Sequence, residues 1–152
     1  MSKEGFTFST DKVNVNKKIA LVAAKWNAEL VQELVKSGTA HLEALGFSNL
    51  KIVYVPGAWE LVHAAQKELA HADGVIAFGV VIRGETTHYE LISESVGQGL
   101  MQISIDAKKP VGFGLIATEN LQQAKDRVSS SKFNKGRELS LIHISEPTRH
   151  TR

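Results

Sequence analysis

The chain has 152 residues, of which 43% are hydrophobic and 22% charged, and its formal net charge is +2. These values fit one globular domain with its own core and require no second domain. Lysine and arginine are scattered among acidic residues, so neither nucleic acid nor a membrane surface is expected as a partner. The absence of cysteine excludes disulfides and thiolate chemistry. Without a leader-like start or an apolar stretch of membrane-spanning length, a cytoplasmic protein is expected.

Short apolar runs alternate with segments of helical period along the chain. Strands are predicted at 19–24, 51–55, 74–82 and 111–117, and helices at about 31–45, 60–70, 89–103 and 120–127. Asn120 is suited to cap the last of these helices. The alternation predicts a three-layer α/β/α sandwich of flavodoxin-like type, with a mainly parallel four-stranded sheet.

Residues suited to binding follow the strands at their carboxyl ends, where open α/β sheets bind ligands. They are Trp26 and Asn27, the segment 56–60, the segment 83–88, and Thr118 with Glu119. The run from Phe78 to His88 passes from a strand through a glycine turn into a helix. Such a junction directs backbone N–H groups and a positive helix end at one point, which favours an anionic ligand group beside the His88 imidazole.

The last residues have a different character from the rest of the chain. The run from Leu139 to Arg149 follows no helical period, and it resembles a translated sequencing-adapter end. We therefore expect a domain at 1–138 and a non-native tail at 139–152. His143, Glu146 and His150 lie in that tail, and we predict no metal site from them.

Six motifs occur in an order and spacing that is similar to the lumazine synthases. They are Trp26-Asn27, 55–60, 79–88, 109–114, 123–127 and 134–136. The resemblance implies the penultimate step of riboflavin synthesis, with two small-molecule substrates. In this reaction, 5-amino-6-ribitylaminouracil condenses with 3,4-dihydroxy-2-butanone 4-phosphate to give 6,7-dimethyl-8-ribityllumazine, phosphate and water. The family uses no metal or organic cofactor, so none is expected here.

The same resemblance assigns the chemistry and the phosphate site. His88 would be the general acid and base, since Schiff-base formation, phosphate elimination and ring closure all need proton transfers. The turn of Gly84, Glu85 and Thr86 would offer backbone donors to the phosphate, and Arg127 a guanidinium fork. From the residues alone, Arg127 could equally satisfy helix-end carbonyls, and His88 could be a surface histidine.

A further set would hold the pyrimidine and its ribityl chain. Trp26 would stack on the ring and Phe113 would add an apolar wall. The other expected substrate contacts are Asn27, Ala58, Trp59, Glu60, Val80, Val81, Ile82 and Lys135. On the residues alone, Trp26 and Phe113 could be core, Glu60 a helix-start acid, and Lys135 part of an ordinary turn.

The resemblance also implies a homo-oligomer, either a pentamer or a 60-subunit shell. Phe113, Arg127 and Lys135 would then come from a neighbouring subunit. The alternating segment 6–10 would add a strand to the neighbour's sheet, although on the residues alone it could be an edge strand of its own domain. After Glu138, family members continue into a long helix that we expect to be missing here.

Two other functional classes can be weighed from the sequence. Residues 79–86 partly fit a nucleotide-binding P-loop, but Glu85 stands where that motif needs lysine. A non-catalytic shell-forming or flavin-binding scaffold is the second alternative.

Overall fold

The computed structural model describes residues 14–84 and 89–129. The strands are β1 (Ile19–Ala24), β2 (Leu50–Val55), β3 (Gly74–Ile82) and β4 (Val111–Thr118). The helices are α1 (Ala28–Ala44), α2 (Leu61–Leu69), α3 (Tyr89–Ala107) and α4 (Leu121–Val128), and a 3-10 turn (Ala58–Glu60) precedes α2. All four predicted strands are therefore present.

The strands form one parallel sheet in the order β2-β1-β3-β4. All six residues of β1 and all nine of β3 are buried. A continuous apolar run is typical of a strand covered on both faces, which explains why these two strands are central. The edge strands β2 and β4 are partly exposed.

The helices cover both faces of the sheet and bury two separate apolar clusters. Helices α1 and α4 enclose one cluster, in which Leu34 and Phe78 are fully buried. Helices α2 and α3 enclose the other, around Leu61 and Leu100. The predicted three-layer α/β/α architecture is confirmed. No helix in the described ranges is both long enough and apolar enough to cross a membrane.

The strands differ in length at their carboxyl ends, and this difference makes room for a site. The pairing of β1 with β3 ends at Ala23 and Phe78, whereas β3 stays paired with β4 as far as Ile82 and Thr118. The last residues of β3 therefore extend past the end of β1, and one side of that strand is open.

Several predictions fall outside the described residues. They concern Glu85, Thr86, His88, Lys135, the strand at 6–10, and the boundary at 138 with its tail. The P-loop alternative can be judged, because Gly79 lies within β3. A Cβ atom at Gly79 would lie 2.9 Å from Leu115 Cδ1, so this glycine serves close packing in the sheet.

Candidate active site

A cavity of about 480 Å³ opens at the carboxyl ends of β1 and β3, beside the 3-10 turn. Its size is within the usual range for a small-molecule site. The lining residues are Ala24, Trp26, Pro56, Gly57, Ala58, Trp59, Glu60, Val80, Val81, Ile82 and Ile92. The structure thus brings together seven of the expected substrate contacts, from three separate segments of the chain.

Two tryptophans line this cavity without being buried in the core. The exposed fraction is 64% for Trp26 and 59% for Trp59. An indole exposed to this extent in a cavity offers a flat apolar surface to a planar ligand. The alternative that Trp26 is a core residue is therefore wrong for the chain as described.

The turn after β1 is held by hydrogen bonds to both neighbouring strands. The N–H of Lys25 donates to Val55 O at 2.7 Å, and the N–H of Trp26 donates to Pro56 O at 3.1 Å. On the other side, Asn27 Nδ2 donates to Val80 O at 2.8 Å. These bonds fix the backbone that carries Trp26.

The last residues of β3 form the buried wall of the cavity. Val80, Val81 and Ile82 are almost fully buried. Backbone groups of successive strand residues point to alternate edges. Since the N–H of Arg83 donates to Thr118 O on β4, the polar backbone groups of Ile82 face the opposite, open side.

Glu60 contributes a carboxylate to the cavity. It ends the 3-10 turn, and its N–H donates to Gly57 O at 3.2 Å. Although Glu60 is the residue before α2, its side chain makes no hydrogen bond that caps the helix. The carboxylate can accept hydrogen bonds from two adjacent hydroxyl groups of a ligand.

Sequence reasoning missed the partners of Arg83. Its guanidinium lies 3.3 Å from carboxylate oxygens of both Glu90 and Glu119, and its Cζ lies 5.9 Å from the centre of the Tyr89 ring. Each group is well exposed, so the separate ion pairs are individually weak. Together they connect the start of α3 to the segment after β4. In the sequence, these partners are indicated only by the positions of the charges, which lie after β3, at the start of α3 and after β4.

Sequence reasoning also missed Ile92 as a lining residue. Ile92 belonged to the helical apolar pattern, and its distance from the strand ends in sequence concealed its place in the cavity lining. Pro56 and Gly57 belong to the segment 56–60 that the sequence indicated as suited to binding, and both line the cavity.

Phe113, Arg127 and Gly84 do not line this cavity of their own chain. Phe113 lies on β4 facing α3 and is 45% exposed, so it is not a core residue. Arg127 Nη1 donates to Ala117 O at 3.1 Å, which is a carbonyl of strand β4 and not one at the end of its own helix. Gly84 has a positive φ of 92°, and a Cβ atom there would meet no atom of the described residues within 4 Å. In the ranges 14–84 and 89–129, no group of three or more histidine or acidic residues is arranged to hold a metal ion.

Comparison with known proteins then assigns the family. The family model for 6,7-dimethyl-8-ribityllumazine synthase matches residues 16–145, which is most of the chain. The chain belongs to the 6,7-dimethyl-8-ribityllumazine synthase family.

Curated lumazine synthases are similar over the same region. The enzyme of Bdellovibrio bacteriovorus is 41% identical over 126 residues, covering 82% of this chain and 70% of the relative. That of Leuconostoc mesenteroides is 39% identical over 130 residues, 83% of each chain. That of Pediococcus pentosaceus is 38% identical over 149 residues, covering 92% and 93%. The lumazine synthase resemblance seen in the sequence is confirmed.

Proposed function

We propose that this chain is an enzyme that condenses 5-amino-6-ribitylaminouracil with 3,4-dihydroxy-2-butanone 4-phosphate. The products are 6,7-dimethyl-8-ribityllumazine, phosphate and water, as part of riboflavin synthesis. The observation that carries the proposal is the cavity of Trp26, Trp59, Glu60 and the end of β3, in a chain that belongs to the lumazine synthase family.

The pyrimidine substrate occupies this cavity. Its ring stacks on the exposed indole of Trp26, and its polar edge is read by backbone groups at the end of β3, chiefly those of Ile82. The ribityl chain lies along Ala58 and Trp59, where the Glu60 carboxylate accepts from its hydroxyls. The exposure of both indoles and the open side of β3 support this placement.

The phosphate of the second substrate binds at the turn of Gly84, Glu85 and Thr86, together with Arg127. Gly84 follows the end of β3 and has the positive φ of a tight turn. The guanidinium of Arg127 donates to Ala117 O through one nitrogen, and its other N–H groups can donate to an anion. His88 follows in the sequence and transfers the protons of Schiff-base formation, phosphate elimination and ring closure.

A complete site needs a second copy of the chain. Phe113 and Arg127 lie outside the cavity of their own chain, and together with Lys135 they serve the cavity of a neighbouring subunit. Three large apolar side chains on α3 are exposed: Leu91, Met101 and Ile105. The exposed Ile52 and Tyr54 lie on the edge strand β2, where residues 6–10 of a neighbour can pair. We therefore propose a homo-pentamer or a 60-subunit shell built from it.

We also propose a cytoplasmic location. The second substrate carries a phosphate, and a charged group of this kind crosses a lipid bilayer only at high cost. The enzyme therefore works in the compartment where that phosphate ester is made.

Turnover tests the proposed function. We expect the purified chain and both substrates to yield the lumazine, followed by its fluorescence, with phosphate released in equal amount. Glu60→Gln removes a hydroxyl acceptor and should raise KM for the pyrimidine by roughly tenfold. Glu33→Gln makes the same change on the exposed face of α1 and should leave turnover unchanged. Riboflavin binding without any lumazine formation would contradict the proposal and favour a scaffold.

A further inference from the structure

We propose that Asn27 is a positioning residue for pyrimidine binding. It connects the turn that carries the stacking Trp26 to strand β3, whose backbone groups hydrogen-bond the edge of the ring. The inference rests on the proposed function. Asn27 Nδ2 donates to Val80 O at 2.8 Å, in a part-buried contact between residues 53 positions apart. Asn27 follows Trp26 directly, and both Trp26 and Val80 line the cavity.

The hydrogen bond replaces one that the sheet itself cannot make. Pairing between β1 and β3 ends at Ala23 and Phe78. Lys25 N–H faces β2, where it donates to Val55 O. If β1 continued, the next N–H to face β3 would therefore be that of Trp26, by strand alternation. That N–H donates to Pro56 O instead, so the side-chain amide of Asn27 supplies the donor for Val80 O.

The backbone at position 27 makes asparagine the fitting residue. Its φ of 59° and ψ of 44° lie in the left-handed region, which glycine, asparagine and aspartate tolerate best. Asn27 precedes α1, and its carbonyl accepts from the N–H groups of Leu30 and Val31. Its side chain makes no helix-capping bond. Glycine would keep the turn without a donor, and aspartate would keep the shape but present an oxygen to Val80 O.

The hydrogen bond from Asn27 to Val80 O affects which backbone groups of β3 can bind the pyrimidine ring. Val80 O already accepts from Asn27, so the backbone groups of Ile82 are the next to face the open side of β3. At the same time Trp26 is held between its own bond to Pro56 and the neighbouring bond of Asn27. Asn27 thereby sets the spacing between the stacking surface and the hydrogen-bonding edge.

Two substitutions distinguish the role of the Asn27 side-chain donor from that of its left-handed backbone. Asn27→Asp puts a carboxylate oxygen against Val80 O, and Asn27→Gly removes the donor but keeps the left-handed backbone. Asn49→Asp is the matched control, because it makes the same chemical change at an exposed position before β2, at the opposite end of the sheet. We expect KM for the pyrimidine to rise roughly tenfold or more in Asn27→Asp and less in Asn27→Gly. KM for the butanone phosphate should change little.

A second measurement works without turnover. In a Trp59→Phe background, Trp26 is the one remaining tryptophan of the chain. Its emission maximum and acrylamide quenching should change with Asn27→Asp and not with Asn49→Asp. A purely structural role would lower the midpoint of urea unfolding and leave both KM and Trp26 emission of the folded protein unchanged, and that result would overturn the inference. If the unmodified chain makes no lumazine, the proposed function fails, and Trp26 emission still decides the role of Asn27.

Discussion

At the scale of single residues, two helices of this chain end in the same way with different residues. After α1, Gly46 has a φ of 105°, and the next residue, Phe47, donates its N–H to Leu42 O. After α3, Lys108 has a φ of 54°, and Lys109 donates its N–H to Ser104 O. Both are Schellman ends, in which glycine is the usual left-handed residue. Lys108 therefore holds a conformation that costs a side-chain-bearing residue energy.

Lys108→Gly should stabilise the fold. Relief of the left-handed strain outweighs the added chain entropy, so we expect a gain of about 1 kcal/mol in the free energy of unfolding. Gly46→Ala should lower that free energy by a similar amount. Urea unfolding of both variants gives the answer, and a loss of stability in Lys108→Gly would contradict the assignment of this helix end.

Much of the site could be predicted at this scale, because Trp26, Trp59 and Glu60 follow strands that their apolar runs make recognisable. The contact of Asn27 with Val80 could not. It arises because the pairing of β1 with β3 ends before Val80, and no local pattern in the sequence shows where that pairing ends. The partners of Arg83 depend on the order of the strands in the same way.

At the scale of elements, α3 contains two glycines that face different surroundings. A Cβ atom at Gly99 would lie 2.8 Å from Val62 Cγ2 on α2, whereas at Gly97 it would lie 3.5 Å from Phe113 Cζ. The first distance is a clash with a stiff β-branched side chain, and the second is an ordinary contact. Gly99 is thus what allows α2 and α3 to approach each other over the sheet.

The same substitution should therefore have opposite effects at the two positions. Gly97→Ala should stabilise by up to about 1 kcal/mol, because alanine favours the helix. Gly99→Ala should destabilise by roughly 1–3 kcal/mol, because the overpacking exceeds that gain. Thermal unfolding followed by circular dichroism measures both, and shifts of the same sign would contradict the described helix packing.

The elements themselves were largely predictable. Buried strands β1 and β3 gave continuous apolar runs, and the helices gave clear periods. The separation of residues 58–60 as a 3-10 turn before α2 was not foreseen, since a one-turn change in helical period is too short to alter the apolar pattern.

At the scale of the whole molecule, the proposed assembly predicts complementation between two impaired variants. Trp26→Ala damages the cavity, and Arg127→Ala damages the group proposed to serve a neighbour's cavity. If the two variants are refolded together into mixed rings, about a quarter of the sites combine an intact Trp26 with an intact Arg127. At a pyrimidine concentration well below KM, lumazine synthesis should recover to about that fraction, whereas each variant refolded alone should make much less. No recovery in demonstrably mixed oligomers would mean that each chain supplies both residues to its own site.

The most direct test of the central claim is equilibrium binding of 5-amino-6-ribitylaminouracil, followed by quenching of tryptophan fluorescence. The claim is that the cavity at the ends of β1 and β3 holds this pyrimidine. We expect one molecule bound per chain, with affinity reduced by roughly tenfold or more in Trp26→Ala, since an aromatic stacking surface is lost. Equal affinity in the unmodified chain and in Trp26→Ala, measured by calorimetry so that the missing fluorophore does not matter, would contradict the account.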